Sequence, residues 1–428
     1  MKARSLSALA ALLMLLAAVA GAEPVPFRRA IDLALRHSGV MGMAVADQQR
    51  AHASYQELRN MYLPQVTLGS GLGYSYGYPM SIEGSAPTIF NVDTRQFLIN
   101  PANHKFSMAA KLDWNASSLN LQDKRNQTIL DTAIAYTELD KQTATLHVLQ
   151  QEEQAAARME QITGDRVQAG VDSDVVLTRA KLATARARLR IAQIEGAADV
   201  LRMHLSQLTG LPADTIETVT ESIPRLPEIS QDEDMAKKAL DSSPAAKFAD
   251  ATARAKKIRA EGEHRTLYPQ VDLAGSYGMF AKFNNFEDFF KKFQRNNASI
   301  GLSIRFPLLD FAGRAHAEAA DAEALRARHE AQGVKDQISS DTLKLQRAVR
   351  QLAAAREVAR LEHELARGEV DAVNAKVQAG TASLRDQEEA RATEADKYSQ
   401  FLDADYELSK AQMQLLTMTG DIEAWALK

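Results

Sequence analysis

The sequence carries RVQAG at 166–170 and KVQAG at 376–380, two nearly identical stretches that lie 380 − 170 = 210 residues apart. Further along, LTG at 208–210 returns as MTG at 418–420, at the same offset. Matches in the same order at a constant spacing are the signature of an internal repeat. The chain therefore consists of two copies of one unit.

A match upstream sets the extent of the repeat. MYLPQVTL at 61–68 returns as TLYPQVDL at 266–273, and the two prolines lie 269 − 64 = 205 residues apart. Three prolines among polar residues mark the joint between the copies. We predict five segments, which are a signal peptide at 1–22, a first repeat at 23–210, a linker at 211–235, a second repeat at 236–420 and a C-terminal tail at 421–428.

Each copy is predicted to read helix, strand, strand, helix, turn, helix. Apolar residues recur at spacings of three and four along 118–165 and 312–377, and both segments lack proline. Gly170 and Gly380 stand where these long helices should stop, since glycine accepts the left-handed backbone that closes a helix. Another helical run follows each glycine, so we predict antiparallel helical hairpins with tips at 166–171 and 376–381.

Four strands are predicted, at about 64–78, 105–115, 269–280 and 298–308. Apolar residues alternate along them with small or polar residues, as in strands of a membrane barrel. Each strand is about 10 residues or longer, the length that a tilted strand needs to cross a bilayer. An amphipathic sheet packed on helices in a soluble protein shows the same alternation. Three tyrosines near the end of the first strand suit a membrane-interface belt, and these are Tyr74, Tyr76 and Tyr78.

Four strands cannot close a barrel, and unpaired strand edges are not tolerated in lipid. Several chains must therefore share one barrel. Two chains give eight strands, an interior that side chains would fill, whereas three give twelve. An open duct favours three.

The N-terminal sequence and the composition limit the functions that this chain can have. Lys2 and Arg4 precede an apolar stretch at 6–19 and small residues at 20–22, which reads as a cleaved secretory signal. The net charge of -4 gives no case for nucleic acid, and the absence of cysteine excludes thiolate chemistry. We find no zinc-binding helix motif and no convergent catalytic set, so we expect no enzyme, no metal and no cofactor.

Taken together, these features resemble the TolC family of outer-membrane efflux proteins. The resemblance rests on the signal, the duplication, the Tyr-x-Pro or Tyr-Pro entry to the first strand of each copy, the Val-x-x-Gly tips and the run DTAIAY at 131–136. It implies a mainly α fold, with a trimeric helical barrel in the periplasm and a shared twelve-stranded β-barrel in outer-membrane lipid. The implied function is passive conduction in a tripartite efflux or type I secretion system, with a periplasmic adaptor and an inner-membrane transporter. The alternative is a soluble periplasmic adaptor or scaffold, which usually has one hairpin per chain.

The resemblance also implies roles for individual residues. Asp386 and Glu389 occupy positions where family members can carry an acidic constriction ring, and a spacing of three places them on one helix face. An ordinary solvated helix face is the alternative. The hairpin tips are expected to contact the adaptor, through Val167, Gly170, Val171, Val377, Gly380 and Thr381.

Two departures from the family pattern stand out. Val176 takes the place that matches Asp386, and Ala382 takes that of an arginine in some family gates, so a charged latch is absent or built with Asp172 or Asp174. In addition, the predicted return strand lies 170 − 112 = 58 residues before the first tip, against 380 − 302 = 78 in the second copy. Either the copies differ in shape or the first return strand lies elsewhere.

Overall fold

The computed structural model describes residues 24–70, 88–227, 234–280, 294 and 296–428. Each repeat contributes two helices, two strands and two longer helices, in that order. The first repeat contains α1 Phe27–His37, α2 Gly39–Asn60, β1 Gln65–Gly69, β2 Thr88–Ile99, α3 Pro101–Gln168 and α4 Asp174–Thr209. The second contains α5 Met235–Ser242, α6 Pro244–Arg265, β3 Gln270–Phe280, β4 Asn296–Arg305, α7 Phe311–Gln378 and α8 Leu384–Met418. A short helix, α9 Ile422–Ala426, follows the second repeat.

The chain divides into two compact units that do not coincide with the repeats. The first unit takes the chain up to Ala44 together with Leu121–Pro244 and Lys335–Lys428. The second takes Val45–Asn120 and Ala245–Val334, which include all four strands. Each unit therefore combines corresponding segments of both copies.

The core of the first unit forms around Tyr136, which is fully buried. Its ring contacts Phe27 edge-on at 5.4 Å, and Phe27 contacts Trp425 of α9 at the same distance. The Tyr136 hydroxyl donates to the Val25 carbonyl and accepts from the Val219 amide, both at 2.7 Å. Burial raises the pKa of this phenol. The segments predicted as a linker and a tail thus both contribute to a packed core.

The two longest helices are equal in length, since α3 and α7 both have 68 residues. In neither of them, nor in any other helix of the described ranges, is there a stretch apolar enough to cross a membrane.

The prediction of a strand at 105–115 is wrong, because these residues belong to α3. Asn100 caps the helix by accepting from the Asn103 amide at 2.9 Å, and Pro101 occupies the first helical position. The buried alanines follow helical spacing rather than alternation, at 102, 109, 110 and 116. The observed return strand is β2, at 88–99, which removes the apparent difference in length between the copies.

The strands form one antiparallel sheet in the order β1-β2-β3-β4. In its register, Leu68 lies beside Val92, which lies beside Tyr277. Val271 and Leu273 pair in turn with Ile304 and Leu302 of β4. Apolar side chains therefore share one face of the sheet.

Candidate functional site

The two hairpin tips share one backbone structure. Gly170 and Gly380 both have a φ of +73°, in the left-handed region that glycine adopts without strain. Their amides donate to the carbonyls of Val167 and Val377, at 2.9 and 3.0 Å. The next residues, Val171 and Thr381, donate to the residues at 166 and 376, at 2.9 and 2.8 Å. This pair of bonds is a Schellman motif, which satisfies the last carbonyls of a helix.

An ion pair stabilises the first tip. Arg166, in the last turn of α3, donates from Nε to Asp172 Oδ2 at 2.6 Å. This hydrogen bond raises the pKa of the guanidinium and lowers the pKa of Asp172. Asp174 is the first residue of α4, and the Ser173 before it makes no side-chain capping bond. Asp172 therefore joins the two ends of the tip within one hairpin.

A capping box stabilises the second tip. The Ser383 hydroxyl accepts from the Asp386 amide at 3.2 Å, and Asp386 Oδ2 accepts from the Ser383 amide at 2.9 Å and from its hydroxyl at 2.8 Å. The bond from the Ser383 amide is the main reason that the pKa of Asp386 is lowered. Thr381 adds a bond from its hydroxyl to the Lys376 carbonyl at 3.1 Å.

The helices behind the tips also meet differently. In the first hairpin Gly164 faces Leu177, and a Cβ built on the glycine would lie 3.9 Å from the leucine side chain. The matching positions of the second hairpin, 210 residues on, hold Asn374 and Gln387. The Gln387 amide donates to Asn374 Oδ1 at 2.7 Å. A polar contact thus replaces a glycine–leucine contact at the same place.

Asp386 and Glu389 lie on consecutive turns of α8, and both are exposed. The capping box engages Asp386, a role that needs no constriction ring. Glu389 lines a groove between helices of the first unit. The other predicted tip residues all lie at the turns, where Val171 and Thr381 are exposed and Val167 and Val377 are half-buried. Tyr74, Tyr76 and Tyr78 lie outside the described residues.

The sheet of the second unit is the other candidate functional surface. Its apolar face is open, and Ile300, Leu302 and Ile304 are 79%, 62% and 56% exposed. The opposite face carries Ser276 and Ser299, whose hydroxyls lie 2.7 Å apart, and an ion pair between Arg95 and Asp272 at 2.6 Å. The two faces therefore differ sharply in chemistry.

Sequence reasoning missed the capping box, the Arg166–Asp172 pair and the Arg95–Asp272 pair. The first had a signal, since Ser-x-x-Asp before a helix is a recognised start motif. Within the described ranges, no three His, Cys, Asp or Glu side chains gather closely enough to hold a metal ion.

Comparison with known proteins identifies the family. The family model described as outer membrane efflux protein matches residues 30–211 and 235–421, a separate match to each repeat. Protein CyaE of Bordetella pertussis is 30% identical over 308 residues, which cover 69% of this chain and 63% of that protein. The match thus spans less than two thirds of this relative.

Solved structures share the fold. The CmeC outer membrane channel of Campylobacter jejuni is 15% identical, with a TM-score of 0.76 over 92% of this chain and 86% of that one. The outer membrane protein VceC of Vibrio cholerae is 17% identical, with a TM-score of 0.73 over 92% and 96% of the two chains. The MtrE outer membrane channel of Neisseria gonorrhoeae is also 17% identical, with a TM-score of 0.72 over 93% and 90%.

The resemblance to the TolC family and the mainly helical fold are thereby confirmed. The family and the fold are those of channel proteins, which are not enzymes, and they place the chain in the outer membrane of a Gram-negative bacterium. Matched in both of its repeats, the chain belongs to the outer membrane efflux protein family.

Proposed function

We propose that this protein is the duct subunit of a tripartite efflux or type I secretion system. Three copies share a twelve-stranded barrel in the outer membrane, and their helices form a tube in the periplasm. Substrates pass through passively, delivered by an inner-membrane transporter that a periplasmic adaptor joins to the duct. The signal peptide at 1–22 directs export.

The sheet carries this proposal. Within the described sheet, β1 and β4 are edge strands with one neighbour each, and four strands are too few to close a barrel. Open edges in lipid leave backbone groups without partners, at a cost of several kcal/mol each. Strands from further copies satisfy them.

The chemistry of the two faces supports the same assembly. Ile300, Leu302 and Ile304 form an exposed apolar surface suited to lipid, whereas the small and polar side chains opposite suit a water-filled lumen. The tips supply the adaptor contact, since Val171 and Thr381 are exposed at the ends of paired helices. We assign Asp386 and Glu389 to the periplasmic entrance, where three copies concentrate negative charge and favour cations.

A charge placed on either face of β4 tests the barrel. Ile300→Arg puts a guanidinium into lipid, at a cost of about 2–4 kcal/mol at the bilayer midplane and about 0–1 near its surface. Ser299→Arg, one residue away, puts it into the lumen and serves as the matched control. We expect the first variant to reduce the amount of oligomer in outer membranes and the second to leave it unchanged. Equal loss in both variants contradicts a lipid-facing surface.

Conductance in planar bilayers tests the entrance. Glu389→Gln removes charge without touching the capping box, so we expect a lower ratio of cation to anion permeability. Glu195→Gln, on an exposed part of α4, is the control. An unchanged ratio in Glu389→Gln removes this residue from the entrance.

A further inference from the structure

The first unit contains a groove between α3, α4 and α8, to which α7 adds Val370, with a volume of about 550 Å³. Pockets of roughly 300–1,000 Å³ suit ligands of drug size. The groove lies along the helices above the tips, between positions 148–159 of α3 and 385–395 of α8. Neither tip turn contributes to it.

The walls of the groove are mainly small and apolar. α3 supplies Val148, Ala155, Ala156 and Met159, and α4 supplies Ala180 and Ala183. Alanine leaves room between helices, and methionine adapts its shape to an apolar surface. Such walls suit the hydrocarbon part of a small molecule.

The charges that line the groove do not balance, since four carboxylates face two guanidinium groups. Glu388 pairs with Arg391 at 3.5 Å, and Glu394 pairs with His363 at 2.8 Å. The side chains of Glu152 and Glu389 form no hydrogen bond or ion pair with any described residue. Within the described residues, two negative groups of the groove therefore have no hydrogen-bonded or ion-paired partner.

Glu152 is the more constrained of the two, because it is half-buried. Burial raises the pKa of its carboxyl, an effect opposed by Arg190 and reinforced by Asp396. A partly desolvated carboxylate without a hydrogen bond is costly, and a cation placed against it relieves that cost. Arg190 relieves that cost only in part, since it forms neither a hydrogen bond nor an ion pair with Glu152.

We propose that this groove binds a small amphipathic organic cation, with its apolar body between the alanines and its charged group against Glu152 and Glu389. The size of the groove, its apolar walls and its two unpartnered carboxylates together select this class of ligand. This goes beyond conduction, because binding is a property of the helices and is measured without transport.

The experiment uses the full-length protein in nanodiscs of zwitterionic lipid. Binding of rhodamine 6G, a lipophilic cation, is followed by fluorescence anisotropy, with empty nanodiscs as the baseline. Fluorescein, an anion of similar tricyclic shape, is the matched ligand control. We expect saturable binding of the cation, one per chain, and no saturable binding of the anion. Saturable binding of both dyes, or of neither, overturns the proposal.

Variants locate the site. We expect Glu152→Gln to weaken cation binding by about tenfold, as loss of one charge-assisted contact predicts. Glu195→Gln removes a carboxylate outside the groove and should leave the affinity unchanged. Equal affinity of the Glu152→Gln variant and the parent protein contradicts the assignment.

A second variant keeps both carboxylates and tests the apolar part. Ala392 lines the groove and is exposed, so Ala392→Phe fills the space without disturbing a core position. We expect the cation to lose saturable binding. Retained binding in this variant overturns the proposal, whatever the behaviour of Glu152→Gln. The groove shares Glu389 with the proposed entrance, whereas Glu152 and Ala392 belong to the groove alone. Loss of binding in variants of these two residues with unchanged conductance therefore separates the groove from the duct.

Discussion

The two hairpin tips share one backbone conformation but are stabilised by different side-chain interactions. Both end in a glycine with a φ of +73° and the same pair of amide bonds. Arg166 and Asp172 close the first tip with an ion pair, whereas Lys376 and Ala382 occupy those positions in the second. There Ser383 and Asp386 form a capping box, whereas the first tip has Ser173 and Val176. The glycine thus fixes the turn in both copies, and each copy stabilises it with different side chains.

Replacing the glycines should have the largest effect. Gly170→Ala and Gly380→Ala force a left-handed backbone on a side chain, at a cost of about 1–2 kcal/mol each. Apart from the adjacent residues of the chain, no described atom lies within 4 Å of the added Cβ at either site, so the costs should be equal. Hydrogen exchange of the tip amides measures them.

Gly196→Ala is the control for this pair. Gly196 lies inside α4 with open space around it, so alanine should stabilise that helix by about 1 kcal/mol. A clearly unequal cost at Gly170 and Gly380 contradicts a turn fixed by glycine alone.

Removal of the capping serine should have the second-largest effect, and it should destabilise only the second tip. Ser383→Ala removes a side-chain cap and should cost about 0.5–2 kcal/mol, whereas Ser173→Ala removes no capping bond and should be nearly neutral. Exchange rates in the first turns of α8 and α4 report the two effects. Equal acceleration in both helices is inconsistent with the observed difference in capping.

The contact behind the tips gives a third, smaller difference. Asn374→Ala leaves the Gln387 amide without its partner and should cost about 0.5–1.5 kcal/mol, the net value of one hydrogen bond. Gly164→Ala, at the matching position, brings a methyl group to ordinary contact distance from Leu177 and should not destabilise the hairpin. Proteolysis rates of the two tips compare these variants. Faster cleavage of the first tip in Gly164→Ala is the contrary result.

The salt dependence of hydrogen exchange should also differ between the two tips, although this effect should be the smallest. The Arg166–Asp172 pair is exposed enough for ions to screen it, whereas the capping box depends on short hydrogen bonds. Exchange at the first tip should therefore rise between low and high salt, with little change at the second. Arg166→Gln should remove the salt response, and a response that persists in this variant has another origin.

Acid should weaken both tips together. The pKa values of Asp172 and Asp386 are both lowered in the folded protein. Each group therefore stabilises its tip fully above the unfolded pKa, near 4, and loses this contribution as the pH falls through the folded pKa. Exchange measured from pH 6 downward, corrected for its intrinsic rate, should show increased opening at both tips. Asp386→Asn should abolish the change at the second tip alone.

Much of the fold followed from repetition and periodicity. The repeated glycines predicted both reversals, because few residues accept a left-handed backbone. The prediction of a strand at 105–115 was wrong because the residues from Phe106 to Trp114 alternate in hydrophobicity although they lie on a helix. Asn100-Pro101 is a helix start signal, and the helix that begins there includes the alternating residues. The groove could not be predicted, since it lies where helices of the first repeat, α3 and α4, meet helices of the second, α7 and α8.

The mass of the particle extracted from isolated outer membranes in mild detergent tests the central claim most directly. The shared-barrel account predicts a stable particle of three chains, found in the outer-membrane fraction and released only by detergent. A monomer that is soluble without detergent contradicts it.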